Sequence, residues 1–255
     1  MFKSCHIDKE LQPLFPQGDQ LSFWLDSDIG IPVSKDHDGR EMRRIESGGQ
    51  SFFLKRSGNE SLLRHLRMLC WFCRPQSNAL REVKMLLTLQ SAGFAVMEPV
   101  AWGEEWIGWF KVRGFLLVRE VIGQEVAELF DCSSDRERLE LMGQMGRLIG
   151  RLHAKGFFHP VRLKDLILTE KDLVLIDRET SKPWKSPFLK LCCLRSLSRS
   201  YCRICRDGHQ IDDCEGITFL EGYRQGLASR LILEHSHLQE VLRKQIRQER
   251  KHSKS

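Results

Sequence analysis

The chain has 255 residues, of which 29% are charged and 41% hydrophobic, a composition typical of a globular protein rather than a disordered one. Its net charge of +6 permits an anionic partner, such as a nucleotide, a phosphorylated glycolipid or a membrane surface, without requiring one. No apolar run approaches the ~20 residues that a membrane span needs. The N-terminal residues lack the apolar core of a secretory signal, so the cysteines are expected to be reduced thiols in a cytoplasm.

The first part of the chain predicts strands and one helix. Residues 1–40 are weakly patterned and contain several prolines and glycines, which indicates an irregular lead-in. Residues 42–56 predict a hairpin, because two strand-like runs flank Gly48 and Gly49, and paired glycines supply the positive φ of a tight turn. Residues 78–90 predict a helix that begins at a serine or asparagine cap and ends before a glycine.

The second part of the chain is predicted to be mainly helical. After a short strand at residues 115–118, a long helix is expected at about 135–155, where apolar residues recur at helical spacing behind a capping-box pattern. Residues 166–168 and 173–176 predict a second, smaller hairpin. The residues after 180 are expected to be largely helical.

Lys55 and Glu82 are candidate partners in an ion pair. Lys55 lies within an apolar strand, where it could simply bury its stem at an edge and keep its ammonium in water. Glu82 lies on the apolar stripe of the helix at residues 78–90, where a carboxylate must find a partner or lose solvation energy. Lysine on a strand and glutamate on the next helix form the ion pair that positions ATP phosphates in kinases.

Asp177 and His159 are two further candidates. Asp177 ends a buried apolar strand where a loop begins, which suits a Mg²⁺ ligand; a turn aspartate is the alternative. His159 lies between the long helix and the second hairpin, where it could fix the loop by hydrogen bonding or serve a purely structural role.

Taken together, these features follow kinase order. The segments REVKMLLTLQSAGFAVMEPVAWGEE, GRLIGRLHAKGFFHP and LVLID resemble the lipopolysaccharide-core kinases, the Kdo/WaaP-type family, over about residues 40–180. The resemblance implies an α+β, bilobal protein-kinase-like fold. Its small antiparallel-sheet N-lobe with one helix would occupy residues 41–119, its mainly helical C-lobe residues 120–251, and a polar tail residues 252–255.

The same resemblance implies a bacterial enzyme that uses ATP and Mg²⁺ to phosphorylate an inner-core sugar, Kdo or heptose, of lipopolysaccharide. By motif position, Lys55 would hold the nucleotide phosphates and Glu82 would orient Lys55. Glu120 or Val121 would lie near the linker that contacts adenine, and Asp177 would bind the metal. The expected partners are ATP and a lipopolysaccharide-core or lipid A-linked sugar acceptor; a nucleic-acid partner is not expected.

The catalytic loop departs from the family pattern. The family reads His-x-Asp, in which the aspartate is the catalytic base, whereas here His159 is followed by Pro160 and Val161. Leu166 stands at the position of a second metal ligand, and the nucleotide loop contains only a single glycine. Asp165 is the only acid in the catalytic loop and therefore the candidate substitute, although it falls beside the metal position. Residual kinase activity and a nucleotide-binding pseudokinase both remain open.

Two further patterns compete with this interpretation. Cys202, Cys205, His209 and Cys214 could bind Zn²⁺ in the manner of a zinc knuckle that holds single-stranded nucleic acid, although a helix with free cysteines is the alternative. The basic stretch at residues 239–251 could rest as a helix on an anionic inner leaflet, which predicts peripheral contact with the inner membrane; a solvated terminal helix is the alternative.

Overall fold

The chain divides into two compact units. The computed structural model describes residues 3–35, 39–58, 76–107, 111–176 and 189–227. The first unit comprises residues 1–121 and 177–180, and the second comprises residues 122–176 and 181–255. The first unit is built on an antiparallel sheet and the second mainly on helices, so the α+β class expected from the sequence is confirmed.

The first unit holds a six-stranded sheet in the order β1-β5-β6-β4-β3-β2. Its strands are β1 (Lys3–Ile7), β2 (Ile31–Lys35), β3 (Glu41–Ser47), β4 (Gln50–Ser57), β5 (Pro99–Ile107) and β6 (Lys111–Arg119). Among the described residues of this unit, the α-helices are α1 (Leu21–Asp26) and α2 (Asn78–Ser91). The turn between β3 and β4 is the predicted glycine pair, since Gly48 and Gly49 have φ values of 58° and 73°. Because β4 pairs with strands on both sides, its backbone is fixed along its length.

The expectation of an irregular lead-in over residues 1–40 is wrong. β1 pairs with β5 and β2 pairs with β3, so the lead-in supplies both edge strands of the sheet. Trp24 of α1 is fully buried, stacks on Phe115 with ring centroids 5.3 Å apart, and donates from Nε1 to the Gly18 carbonyl at 2.7 Å. The sequence pattern does not predict the structure of residues 1–40. Short turns and a six-residue helix bring the apolar side chains of this segment into the core without a regular period.

The second unit contains the helices α3 (Val126–Cys132), α4 (Asp135–Ala154), α5 (Leu189–Arg206) and α6 (Asp213–Leu227). A small sheet is formed by β7 (Gln124–Glu125), β8 (Leu166–Leu168) and β9 (Leu173–Leu175). The predicted capping box opens α4, where the Ser134 backbone N–H donates to the Glu137 carboxylate at 2.8 Å. Among the described residues, no helix combines the length and the apolar character that crossing a bilayer requires.

Helices α4 and α6 approach each other through facing glycines. A Cβ atom added to Gly146 of α4 would lie 2.1 Å from the Phe219 carbonyl oxygen of α6. In return, a Cβ atom added to Gly226 of α6 would lie 2.1 Å from the Arg147 carbonyl oxygen of α4. Both clashes are with backbone, which a side-chain rotation cannot relieve. The two helix axes can therefore keep this distance only while these positions remain glycine.

We predict that Gly146→Ala destabilises the protein, whereas Gly216→Ala on the open side of α6 does not. Overpacking a close contact typically costs about 1–3 kcal/mol. A Cβ atom at Gly216 would meet nothing within 4 Å, and replacing a helical glycine by alanine gains roughly 1 kcal/mol. Urea unfolding of both variants should therefore show free-energy changes of opposite sign. Equal stability of Gly146→Ala and wild type would contradict the close packing.

Candidate functional site

In the first unit, Lys55 and Glu82 form the ion pair that the sequence suggested. Lys55 Nζ donates to Glu82 Oε1 at 2.7 Å. Lys55 is held in the middle of the sheet, because its backbone pairs with Met42 of β3 and Leu116 of β6. Glu82 lies on the buried face of α2, and its side chain is only 7% exposed.

The start of α2 is fixed from two directions. The Ser77 hydroxyl accepts from the Leu80 backbone N–H at 3.2 Å, which caps the helix. The Ser77 backbone N–H donates to the buried Glu104 carboxylate of β5 at 3.1 Å. Glu82 follows one turn later, so its position relative to the sheet is set by the cap and by apolar packing together.

The exposures of the two partners differ in a way that suits ligand binding. Burying the Glu82 carboxylate is costly unless a cation compensates it, and Lys55 supplies that cation. The Lys55 side chain remains 21% exposed, so a ligand in solvent can still reach it. An ammonium is a compact charge with three donors, which suits the oxygens of a phosphate group.

Glu120 and Val121 lie at the end of β6, where the first unit ends. The Glu120 backbone N–H donates to the Ser51 carbonyl of β4 at 2.9 Å, and its carboxylate accepts from Arg44 Nη2 at 2.9 Å. The hydrogen bond to Glu120 raises the pKa of Arg44. Val121 is partly buried. The linker is therefore anchored to the same strand that carries Lys55.

In the second unit, the loop after α4 contains His159 and Val161. His159 Nδ1 donates to the Pro160 carbonyl at 2.9 Å. Val161 is fully buried, and its backbone N–H donates to the Ser200 hydroxyl of α5 at 3.0 Å. The Val161 side chain, which the resemblance places where an aspartate was expected, thus serves packing, while its backbone is fixed by a neighbouring helix.

Asp165 ends a 3₁₀ turn in this loop, and its side chain is 5% exposed. Its Oδ2 accepts from the Arg162 backbone N–H at 3.0 Å, and its Oδ1 accepts from Arg162 Nε at 3.0 Å and Nη2 at 2.8 Å. Both oxygens are therefore engaged within the turn, which favours a role in shaping the loop over a role as a base.

Asp177, the expected metal ligand, lies outside the described residues. The chain just before it is fixed, because β9 pairs with β8 and the Ile176 backbone N–H donates to the Asp165 carbonyl at 2.9 Å. Leu166, at the position of the second metal ligand, pairs with Leu175 and is fully buried.

A buried histidine that was not singled out as a site residue joins three helices of the second unit. His153 of α4 lies 2.9 Å from the Tyr223 hydroxyl through Nδ1 and 2.9 Å from the Ser196 hydroxyl through Nε2. Burial lowers the pKa of His153 to about 3 and raises the pKa of Tyr223. A neutral imidazole donates from one nitrogen and accepts at the other, so it ties α4 to α5 and α6. Only the L-H-x-x-G ending of α4 hinted at this role.

The zinc-site hypothesis is wrong for the four residues proposed. The described part of the chain contains no group of three or more His, Cys, Asp or Glu residues placed to hold a metal ion. Cys202 and Cys205 lie on α5, and Cys214 lies on α6. His209 instead contacts Asp131, with its Nδ1 2.8 Å from the carboxylate. Cys202 and Cys205 share one face of a helix, but His209 and Cys214 do not join them in a group that could hold an ion.

The chain is similar to known proteins both in sequence and in fold. The sequence profile of the lipopolysaccharide kinase (Kdo/WaaP) family matches residues 41–202, which is more than half of the chain. The solved structure of WaaP in complex with acyl carrier protein is similar with a TM-score of 0.66 at 18% identity, over 96% of this chain and 98% of that chain. This similarity confirms the expected protein-kinase-like fold.

A weaker similarity joins the chain to the bifunctional kinase-methyltransferase WbdD, with a TM-score of 0.46 at 14% identity, over 81% of this chain and 47% of that chain. A MAP kinase from Leishmania major gives a TM-score of 0.43 at 12% identity, over 84% of this chain and 76% of that chain. No curated protein sequence matches the chain significantly.

We predict that protonation of His153 makes the protein less stable in acid. Because the pKa of His153 is about 3 in the folded state and ordinarily 6.5, the unfolded chain binds the proton first. The free energy of unfolding that depends on neutral His153 is fully present above about pH 6.5. It is lost as the pH falls toward about 3, by up to about 1.4 kcal/mol per pH unit.

Urea unfolding at several pH values measures this slope. His153→Gln should flatten it, whereas His6→Gln on β1, where the side chain is half-exposed, should keep the wild-type slope. The same slope in wild type and His153→Gln would show that the buried imidazole does not control acid stability.

Proposed function

Because the chain belongs to the lipopolysaccharide kinase (Kdo/WaaP) family, we propose that it transfers a phosphoryl group from ATP to an inner-core sugar of bacterial lipopolysaccharide, Kdo or heptose. The observation that carries this proposal is the Lys55–Glu82 ion pair, which lies within the matched residues and joins a central strand to the following helix. Because Val161 stands where a catalytic base was expected, we expect this phosphoryl transfer to be slow.

The first unit fits the phosphates of a nucleotide. Lys55 would contact the phosphate oxygens, since it is the partner that stays reachable from solvent. Glu82 would orient the Lys55 ammonium and hold it charged. Glu120 and Val121 would lie near the adenine, where a backbone anchored to Ser51 keeps the linker in place.

Asp177 is the residue proposed to hold Mg²⁺, on account of its position directly after β9 and Ile176. When bound, the metal ion would neutralise charge on the phosphates. The contribution of the second unit's own residues is to keep the segment before Asp177 in place through the bond from Ile176 to Asp165.

The loop of the second unit supports transfer without a general base. Val161 can neither accept the proton of a sugar hydroxyl nor orient it, and the Asp165 carboxylate is occupied by Arg162. His159 would help to hold the loop through its bond to the Pro160 carbonyl. A positioned base typically contributes 10²–10⁴-fold, so we expect transfer to be slower by about that factor. Positioning and charge stabilisation carry most of phosphoryl transfer, and these elements remain.

The second candidate function is a pseudokinase that binds a nucleotide without transferring phosphate. Two observations favour it specifically. The side chain at the position of the base is fully buried, and the only acid in the catalytic loop is engaged in an ion pair with its neighbour. We further propose a cytoplasmic location with peripheral contact to the inner membrane, because the acceptor is a membrane glycolipid.

The test is transfer of radiolabelled phosphate from Mg²⁺-ATP to a water-soluble, dephosphorylated inner-core oligosaccharide. We expect slow labelling by wild type and none by Lys55→Ala, because the phosphate contact is lost. Lys84→Ala is the matched control, since Lys84 is exposed on the same helix as Glu82. It should label the acceptor at the wild-type rate.

The thermal midpoint of the same samples separates the two candidates. A ligand that binds only the folded state at a hundredfold excess over its dissociation constant stabilises a protein by about 2.7 kcal/mol. A Mg²⁺-ATP shift that depends on Lys55, without labelling, would assign the pseudokinase. Neither shift nor labelling would contradict both candidates.

A further inference from the structure

Helix α5 carries a row of arginines along one side. The helix contains five basic residues and no acidic residue. At 100° per residue, Arg195, Arg199, Arg203 and Arg206 fall within an arc of about 80° and extend over about 16 Å. Arg203 is partly exposed, and the other three are exposed. We refer to these four residues as the arginine stripe.

The stripe borders the side of α5 that holds the catalytic loop. Ser200, next to Arg199, accepts the hydrogen bond from the Val161 backbone N–H at 3.0 Å. Asp207, directly after the helix, pairs with Lys164 of the loop at 3.3 Å. An anionic surface that contacts the stripe would therefore lie beside the loop.

The shape of the stripe favours a broad anionic surface over a single phosphate. Four arginines spread over about 16 Å on the outside of one helix are too far apart to surround a single group together, as the residues of a phosphate pocket do. A row of guanidinium groups instead suits a planar array of phosphates, such as the head groups of a bilayer. Each basic residue near such a surface contributes a similar, additive attraction.

We propose that the arginine stripe docks the protein on the anionic surface of a lipid bilayer and so holds the catalytic loop beside a membrane-borne acceptor. The benefit for the acceptor rests on the proposed function. The docking itself requires neither nucleotide nor transfer, so the two can fail separately. Transfer to a water-soluble acceptor tests the enzyme without any vesicle.

The test is co-sedimentation of the full chain with phosphatidylcholine vesicles prepared with and without phosphatidylglycerol. Wild type should bind only the vesicles that contain phosphatidylglycerol. The double variant Arg195→Gln/Arg203→Gln should bind them about thirtyfold more weakly, at about fivefold per charge removed. Rising salt should release wild type, since the attraction is screened.

The matched control is Arg136→Gln/Arg224→Gln, which removes the same charge from exposed positions on α4 and α6. It should bind like wild type, and Arg195→Lys/Arg203→Lys should also retain binding. The lysine variant and the salt titration keep the test valid if the glutamine variant fails to fold. Equal losses in both glutamine variants would overturn the proposal, because net charge would then explain them. Binding of wild type to an oligothymidylate but not to vesicles would also overturn it and assign a nucleic-acid surface.

Discussion

The ion pair between Lys55 and Glu82 joins the sheet of the first unit to helix α2. A carboxylate buried on the apolar face of α2 is tolerated because a lysine from the centre of the sheet meets it at 2.7 Å. Removing one partner of a buried pair typically costs about 3–5 kcal/mol, since the other is left uncompensated. The cap at Ser77 fixes the helix that carries Glu82, and the pairing of β4 on both sides fixes the strand that carries Lys55. Together they hold the two charges at contact distance.

The second unit fixes the loop that contains Val161 by side-chain and backbone contacts with its helices. Neutral His153 links three helices, and Ser200 of α5 accepts the hydrogen bond from the Val161 backbone N–H. The facing glycines of α4 and α6 fix the helix that precedes the loop. Such a scaffold would suit the proposed phosphoryl transfer, which requires positioning more than proton exchange.

The sequence predicted features whose signals are local. Each of these signals lies within a few neighbouring residues: the Gly48–Gly49 turn, the capping box of α4 and the apolar face of α2 that carries Glu82. The edge strand β1 was missed because its partner β5 lies far along the chain, and β2 was missed because Pro32 and nearby glycines weaken its strand pattern. His153 shows the same limit, since its partners Ser196 and Tyr223 follow by 43 and 70 positions. The cysteine pattern misled because spacing alone does not show where the fold places His209, which contacts Asp131.

We infer that Lys55 and Glu82 act as one unit toward a nucleotide. A double-mutant cycle on Mg²⁺-ATP affinity, with Lys55→Met, Glu82→Gln and both together, measures the coupling between them. We expect each single variant to lose most of the affinity and the double variant to lose little more than either. Additive losses, or an affinity that Glu82→Gln leaves unchanged, would show that the two residues act independently.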